Sequence, residues 1–130
     1  LMNAGVFMGA GTLVLDNSGS IAGRGNGAVY LQGNAVISSL TNSGSMSSDT
    51  GHGVNVTATS RVAELVNTGT IRGGVGMFGI NYAGSTAMTL LANAQGGSTP
   101  LTYTGRLPGT TTNSGAMVTR ATGAKSLTPS

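Results

Sequence analysis

The sequence predicts an all-β chain wound as a parallel β-helix, a β-solenoid with coils of about 25 residues and an irregular C-terminal extension. Three observations predict it. The heptapeptide LDNSGSI at 15–21 returns as LTNSGSM at 40–46 and as LVNTGTI at 65–71, with the same interval between successive copies. Gly supplies 23 of the 130 residues and interrupts every apolar run, which argues against helices. Hydrophobic residues make up 38% of the chain and charged residues 7%, enough apolar matter for a core and too little charge for disorder.

Each position of the repeat has a physical task in a stacked coil. Leu15, Leu40 and Leu65 form one column and Ile21, Met46 and Ile71 another, so that like apolar side chains stack inward. The step from apolar to polar to Asn has the period of two expected of a strand. Asn17, Asn42 and Asn67 follow, placed to hydrogen-bond amide to amide from coil to coil. Gly19, Gly44 and Gly69 come next as turn residues, expected to carry the positive φ that spares a Cβ clash at a corner. Short runs complete each unit: AVYL at 28–31, VNV at 54–56 and INY at 80–82 form one set, Val36–Ile37 and Val62–Ala63 another. Arg24 and Asp49 stand one full repeat apart and are expected to pair between adjacent coils.

Fainter copies flank the three strong ones: LMNAGVF at 1–7, LANAQGG at 91–97 and TNSGAM at 112–117. Residues 1–97 are therefore expected to form the solenoid coils, and 98–130 an irregular last coil or a tail that contacts another subunit. With three strands per coil and about 4.8 Å between coils, about five coils make a rod on the order of 25 Å long. The leucine-rich repeat has a similar period, but its Asn stands three residues beyond the last Leu, whereas Asn17 stands two beyond Leu15. An antiparallel Greek-key domain is the remaining alternative, and its hairpins would not hold one register three times.

Composition narrows the function classes. No cysteine is present, hence no disulfide and no thiolate metal site. No apolar run approaches the ~18 residues of a membrane-spanning helix. The chain opens without a basic stretch leading into an apolar one, so any secretion signal is expected to be already removed or to lie outside this sequence. Residues 1–64 hold two arginines and three acids; residues 65–130 hold four cations and no acid. These scattered cations suit an anionic glycan better than nucleic acid, which calls for clustered Lys and Arg with stacking aromatics.

Acid–base or metal chemistry needs grouped carboxylates. In the coil alignment Asp16 falls with Thr41 and Val66, Asp49 with Arg24, and Glu64 with Ser39, so no two of the three acids share a column. His52, the one histidine, lies between two glycines as a turn residue would. The GRGNG and GGVGMFG stretches lack the GK[ST] of a phosphate loop. No enzyme, cofactor, catalytic residue or metal ligand is expected.

The NSGSI, NSGSM and NTGTI cores at this spacing resemble the passenger regions of bacterial autotransporters and related β-helical adhesins, over residues 1 to about 97. The resemblance implies secretion, a right-handed parallel β-helix, and a role in adhesion, aggregation or display. GRGNGAVYLQ at 23–32 is similar to the curlin repeat, although it occurs once. The expected function is that of a non-enzymatic extracellular structural protein, at a bacterial cell surface, which assembles with itself into a filament through stacked coil ends or its C-terminal tail. The alternatives are an excised fragment of an autotransporter-type adhesin and a phage tail-fibre or glycan-binding β-helix. The expected partners are further copies of the chain and a cell-surface or anionic glycan.

Overall fold

The structure, a computed structural model, describes residues 4–57, 59–96, 99–106 and 108–122. Its strands follow one another around a common axis. β1 (Ala4–Met8) precedes a first full coil of β2 (Thr12–Asn17), β3 (Ser20–Gly23) and β4 (Gly27–Leu31). The second coil is β5 (Val36–Asn42), β6 (Ser45–Ser48) and β7 (Val54–Val56); the third is β8 (Arg61–Val62), β9 (Glu64–Asn67), β10 (Thr70–Arg72) and β11 (Ile80–Tyr82). The fourth holds β12 (Leu90–Asn93) and β13 (Leu101–Arg106), and β14 (Thr110–Asn113) and β15 (Met117–Thr122) follow.

Successive coils stack into three parallel sheets. The first runs β1-β4-β7-β11-β13-β15, the second β2-β5-β9-β12-β14 with β8 also on β5, and the third β3-β6-β10. Every described pair is parallel, and the register places Leu15, Leu40, Leu65 and Leu91 in one line and Ile21, Met46 and Ile71 in another. The chain is thus an all-β solenoid with no helix among the described residues. About four turns are formed, one fewer than the sequence estimate. Residues 99–106 and 108–122 continue the stack, since β13 pairs β11, β14 pairs β12 and β15 pairs β13, whereas the rest of the tail lies outside the described residues.

The inward columns make the core. Leu31, Ile37, Leu40, Met46, Val54, Leu65, Ile71, Ile80 and Leu91 are wholly buried. Tyr82 and Tyr103 fill it near the C-terminal end, and burial raises the pKa of both phenols. The Tyr82 hydroxyl donates to the Thr86 carbonyl at 2.7 Å and accepts from the Val62 N–H at 3.2 Å, so a buried ring ties a corner to the core.

Two departures from a uniform coil have local causes. Leu13 pairs Ile37 but Val14 pairs Ser39, so β5 takes up one extra residue as a bulge at Ser38. All three sheets take strands only from the first three coils. In the fourth, Gln95 stands where the third-sheet strand would begin, and its Oε1 accepts the Ile71 N–H at 3.0 Å. A side chain there replaces a strand.

Candidate functional site

The corner between the second and third sheets is the most organised polar feature of the molecule. Asn17, Asn42 and Asn67 end β2, β5 and β9 and turn inward, at 8%, 0% and 0% exposure. Asn17 Nδ2 donates to Asn42 Oδ1 at 2.8 Å, and Asn42 Nδ2 to Asn67 Oδ1 at 2.9 Å. Two further asparagines extend the line: Asn67 donates to Asn93 at 3.1 Å, and Asn93 to Asn113 at 2.8 Å.

Each amide also holds its own corner and the next. Asn42 Nδ2 reaches the Gly44 carbonyl at 3.3 Å and the Thr70 carbonyl, one coil on, at 3.0 Å; Asn17 does the same with Gly19 and Ser45. Asn67 finds Gln95 Oε1 at 3.1 Å where Asn17 and Asn42 find a backbone carbonyl in the next coil, so Gln95 caps the backbone edge of the third sheet and stands in for that carbonyl beside the amide line. Buried side-chain polar atoms are satisfied along the whole column, as a buried polar line requires.

The corner glycines require a correction of cause. Positive φ occurs at Gly11, Gly27, Gly33, Gly76 and Gly105, and not at Gly19, Gly44 or Gly69. What excludes a side chain is the neighbouring coil. A Cβ on Gly44 would lie 2.0 Å from the Gly19 carbonyl oxygen, and one on Gly69 would lie 2.1 Å from that of Gly44. A Cβ on Gly19 meets nothing within 4 Å among the described residues. The amide line draws the corners so close that only a hydrogen fits between them.

Arg24 and Asp49 do face each other, Nε to Oδ2 at 3.8 Å, on side chains that are 78% and 72% exposed. Exposed pairs of this kind contribute about 0–1 kcal/mol.

Acid–base candidates stay apart. Asp16 is exposed on β2 and Glu64 on β9, two coils away, while Asp49 is held by Arg24. No group of three or more His, Cys, Asp or Glu is close enough to hold a metal among the described residues. His52 is half-buried; its Nδ1 accepts the Phe78 N–H at 2.9 Å and its ring lies 6.0 Å from that of Phe78. Burial pushes its pKa below the ordinary value. Its hydrogen bond pins the 73–78 loop to the coil before it, which is a structural task.

Comparison with protein-family profiles, curated proteins and solved structures returned no match. No helix among the described residues is long and apolar enough to cross a membrane.

The sequence had singled out three of the five asparagines. Asn93 sits in LANAQGG, where Gln replaces the corner Gly, and Asn113 follows after a shortened interval because the fourth coil lacks a strand. An apolar or Thr residue two places before each Asn was the surviving signal.

Proposed function

We propose that the chain is a non-enzymatic, extracellular building unit of a bacterial surface structure, which stacks head to tail through its coil ends into a filament. One observation carries this reading. Among the described residues, no strand pairs with β1, β2 or β3 on the side facing away from the second coil, and the core columns surface there. Val6, Met8, Leu13, Leu15 and Ile21 are only partly buried, whereas their partners one coil on, Val29, Leu31, Ile37, Leu40 and Met46, are wholly covered. Unpaired strand edges backed by apolar side chains are templates for a further strand layer.

The amide line gives the contact a direction. Each Nδ2 from Asn17 to Asn93 points to the Oδ1 of the following coil, so two N-terminal ends would set acceptor against acceptor and two C-terminal ends donor against donor. Head-to-tail contact is heterologous, and such a contact extends without closing unless its rotation forms a ring.

Light scattering and electron microscopy of the purified 130-residue chain test this. Filaments, or a mass that rises with concentration, are expected. A monodisperse monomer at millimolar concentration would sink the reading and favour a segment of an autotransporter-type adhesin instead.

A further inference from the structure

The outer side of the first sheet carries a line of side chains that the solenoid does not need for its core. Val29 and Leu31, Val54 and Val56, and Ile80 and Tyr82 are all wholly buried, so Tyr30, Asn55 and Asn81 between them face outward. Strand pairing places Phe7 before Tyr30 and Thr104 after Asn81 in the same line, one residue per coil. Phe7 is 41% exposed, and its ring centre lies 5.8 Å from that of Tyr30 with 37° between the planes. Asn81 Nδ2 donates to Asn55 Oδ1 at 2.9 Å, and Asn55 Nδ2 to the Asn26 carbonyl at 3.4 Å.

Two of the five Phe and Tyr rings in the chain are thus paired on a water-facing surface, in line with an amide pair. Aromatic faces offer an apolar platform with a polar rim, and each amide offers both donors and acceptors. A pyranose presents the complementary surfaces, C–H bonds on its faces and hydroxyls around its edge. The rungs repeat at about 4.8 Å, close to the advance of one sugar in an extended β-1,4-linked chain. From Phe7 to Thr104 the line carries aromatic, amide and hydroxyl side chains, and strand pairing puts Arg120 at the rung after Thr104.

We propose that this line is a binding stripe for an extended β-1,4-linked polysaccharide lying along the solenoid axis. Phe7 and Tyr30 stack on sugar faces, and the Asn55 and Asn81 amides bond hydroxyls farther along. The stripe is lateral, so it stands whether or not the ends stack.

Cellohexaose and chitohexaose are the probes, with coiled maltohexaose as the control, titrated into the 130-residue chain by calorimetry and by NMR of the side-chain amides. One of the flat probes is expected to bind and to shift the Asn55 and Asn81 amide signals. Tyr30→Ala and Asn81→Ala are each expected to weaken binding tenfold or more, while Tyr30→Phe retains it and circular dichroism stays constant. Absence of binding by both flat probes at millimolar concentration overturns the proposal, as does equal binding of maltohexaose. Binding that survives both alanine changes also overturns it. Should Tyr30→Ala fail to fold, Asn81→Ala and the amide shifts decide.

Discussion

Gly44→Ala puts the coil spacing to a direct test. The added methyl would lie 2.0 Å from the Gly19 carbonyl oxygen and 2.7 Å from the Ser18 carbonyl carbon, against about 3.4 Å where ordinary contact begins. The corner must open by more than 1 Å, yet it is closed by Ser43 N–H and Gly44 N–H on the Asn17 carbonyl, at 2.9 and 3.2 Å, and by Ser45 N–H on the Gly19 carbonyl at 2.8 Å. Opening breaks at least the last of these, leaving partners short of a bond at about 1–3 kcal/mol, and overpacking adds about 1–3 kcal/mol. A loss of about 2–6 kcal/mol is therefore expected, and Gly69→Ala should behave alike, its methyl 2.1 Å from the Gly44 oxygen. Gly19→Ala is the internal control: its methyl meets nothing within 4 Å and its φ is not positive, so a gain of up to about 1 kcal/mol is expected from the stiffer unfolded chain. Urea unfolding followed by circular dichroism reads all three. Equal midpoints for Gly44→Ala and the parent would refute the argument that coil contact, rather than turn geometry, selects glycine here. In a head-to-tail stack the Gly19 methyl would meet the preceding copy, so this same variant should fold normally and fail to form filaments.

Asn42→Leu removes a rung and strands its neighbours, because Asn17 Nδ2, Asn67 Oδ1 and the Gly44 and Thr70 carbonyls all lose a bond. With about 1–3 kcal/mol for each buried polar atom left unpaired, a substantial drop in the thermal midpoint is expected, and an unchanged midpoint would show that the amide line carries no stability. His52 supplies a pH dependence. Its pKa is lower in the folded chain than the ordinary 6.5, so the unfolded chain takes up the proton first. The stability it contributes is complete above about pH 6.5 and is lost as pH falls through that value toward the lower folded pKa. Protonation at Nδ1 also removes the acceptor of the Phe78 N–H. His52→Gln should flatten unfolding midpoints measured between pH 7.5 and 5.5, and an unaltered slope would count against this assignment.

The repeat was legible wherever one coil copies the last. Leu15, Leu40 and Leu65 with Asn17, Asn42 and Asn67 recur at one constant interval because the same side chain must meet itself in the next coil. Legibility failed where stacking is conserved but chain length is not. The bulge at Ser38 makes the step from Leu13 to Ile37 one residue shorter than that from Leu15 to Leu40, and the two-strand fourth coil brings Asn113 onto Asn93 sooner still. Gln95 left no signal, since a capping side chain has no counterpart to repeat. The glycine positions were legible and their reason was not, because closeness between coils is a property of the stack and not of a single turn. Tyr30, Asn55 and Asn81 keep near-constant spacing but sit on a wet face, where sequence alone does not separate a binding line from ordinary surface.

The asparagine line also has an electrical consequence. Five side-chain dipoles lie in series, amide hydrogens toward the C-terminal coils and oxygens toward the N-terminal ones, and hydrogen bonds in chains polarise one another in the same sense. The solenoid is therefore a vectorial object. A growing array of such units has two chemically unlike tips, and subunit arrival at one tip need not match arrival at the other. Every copy would then present its lateral face with the same polarity along the whole length.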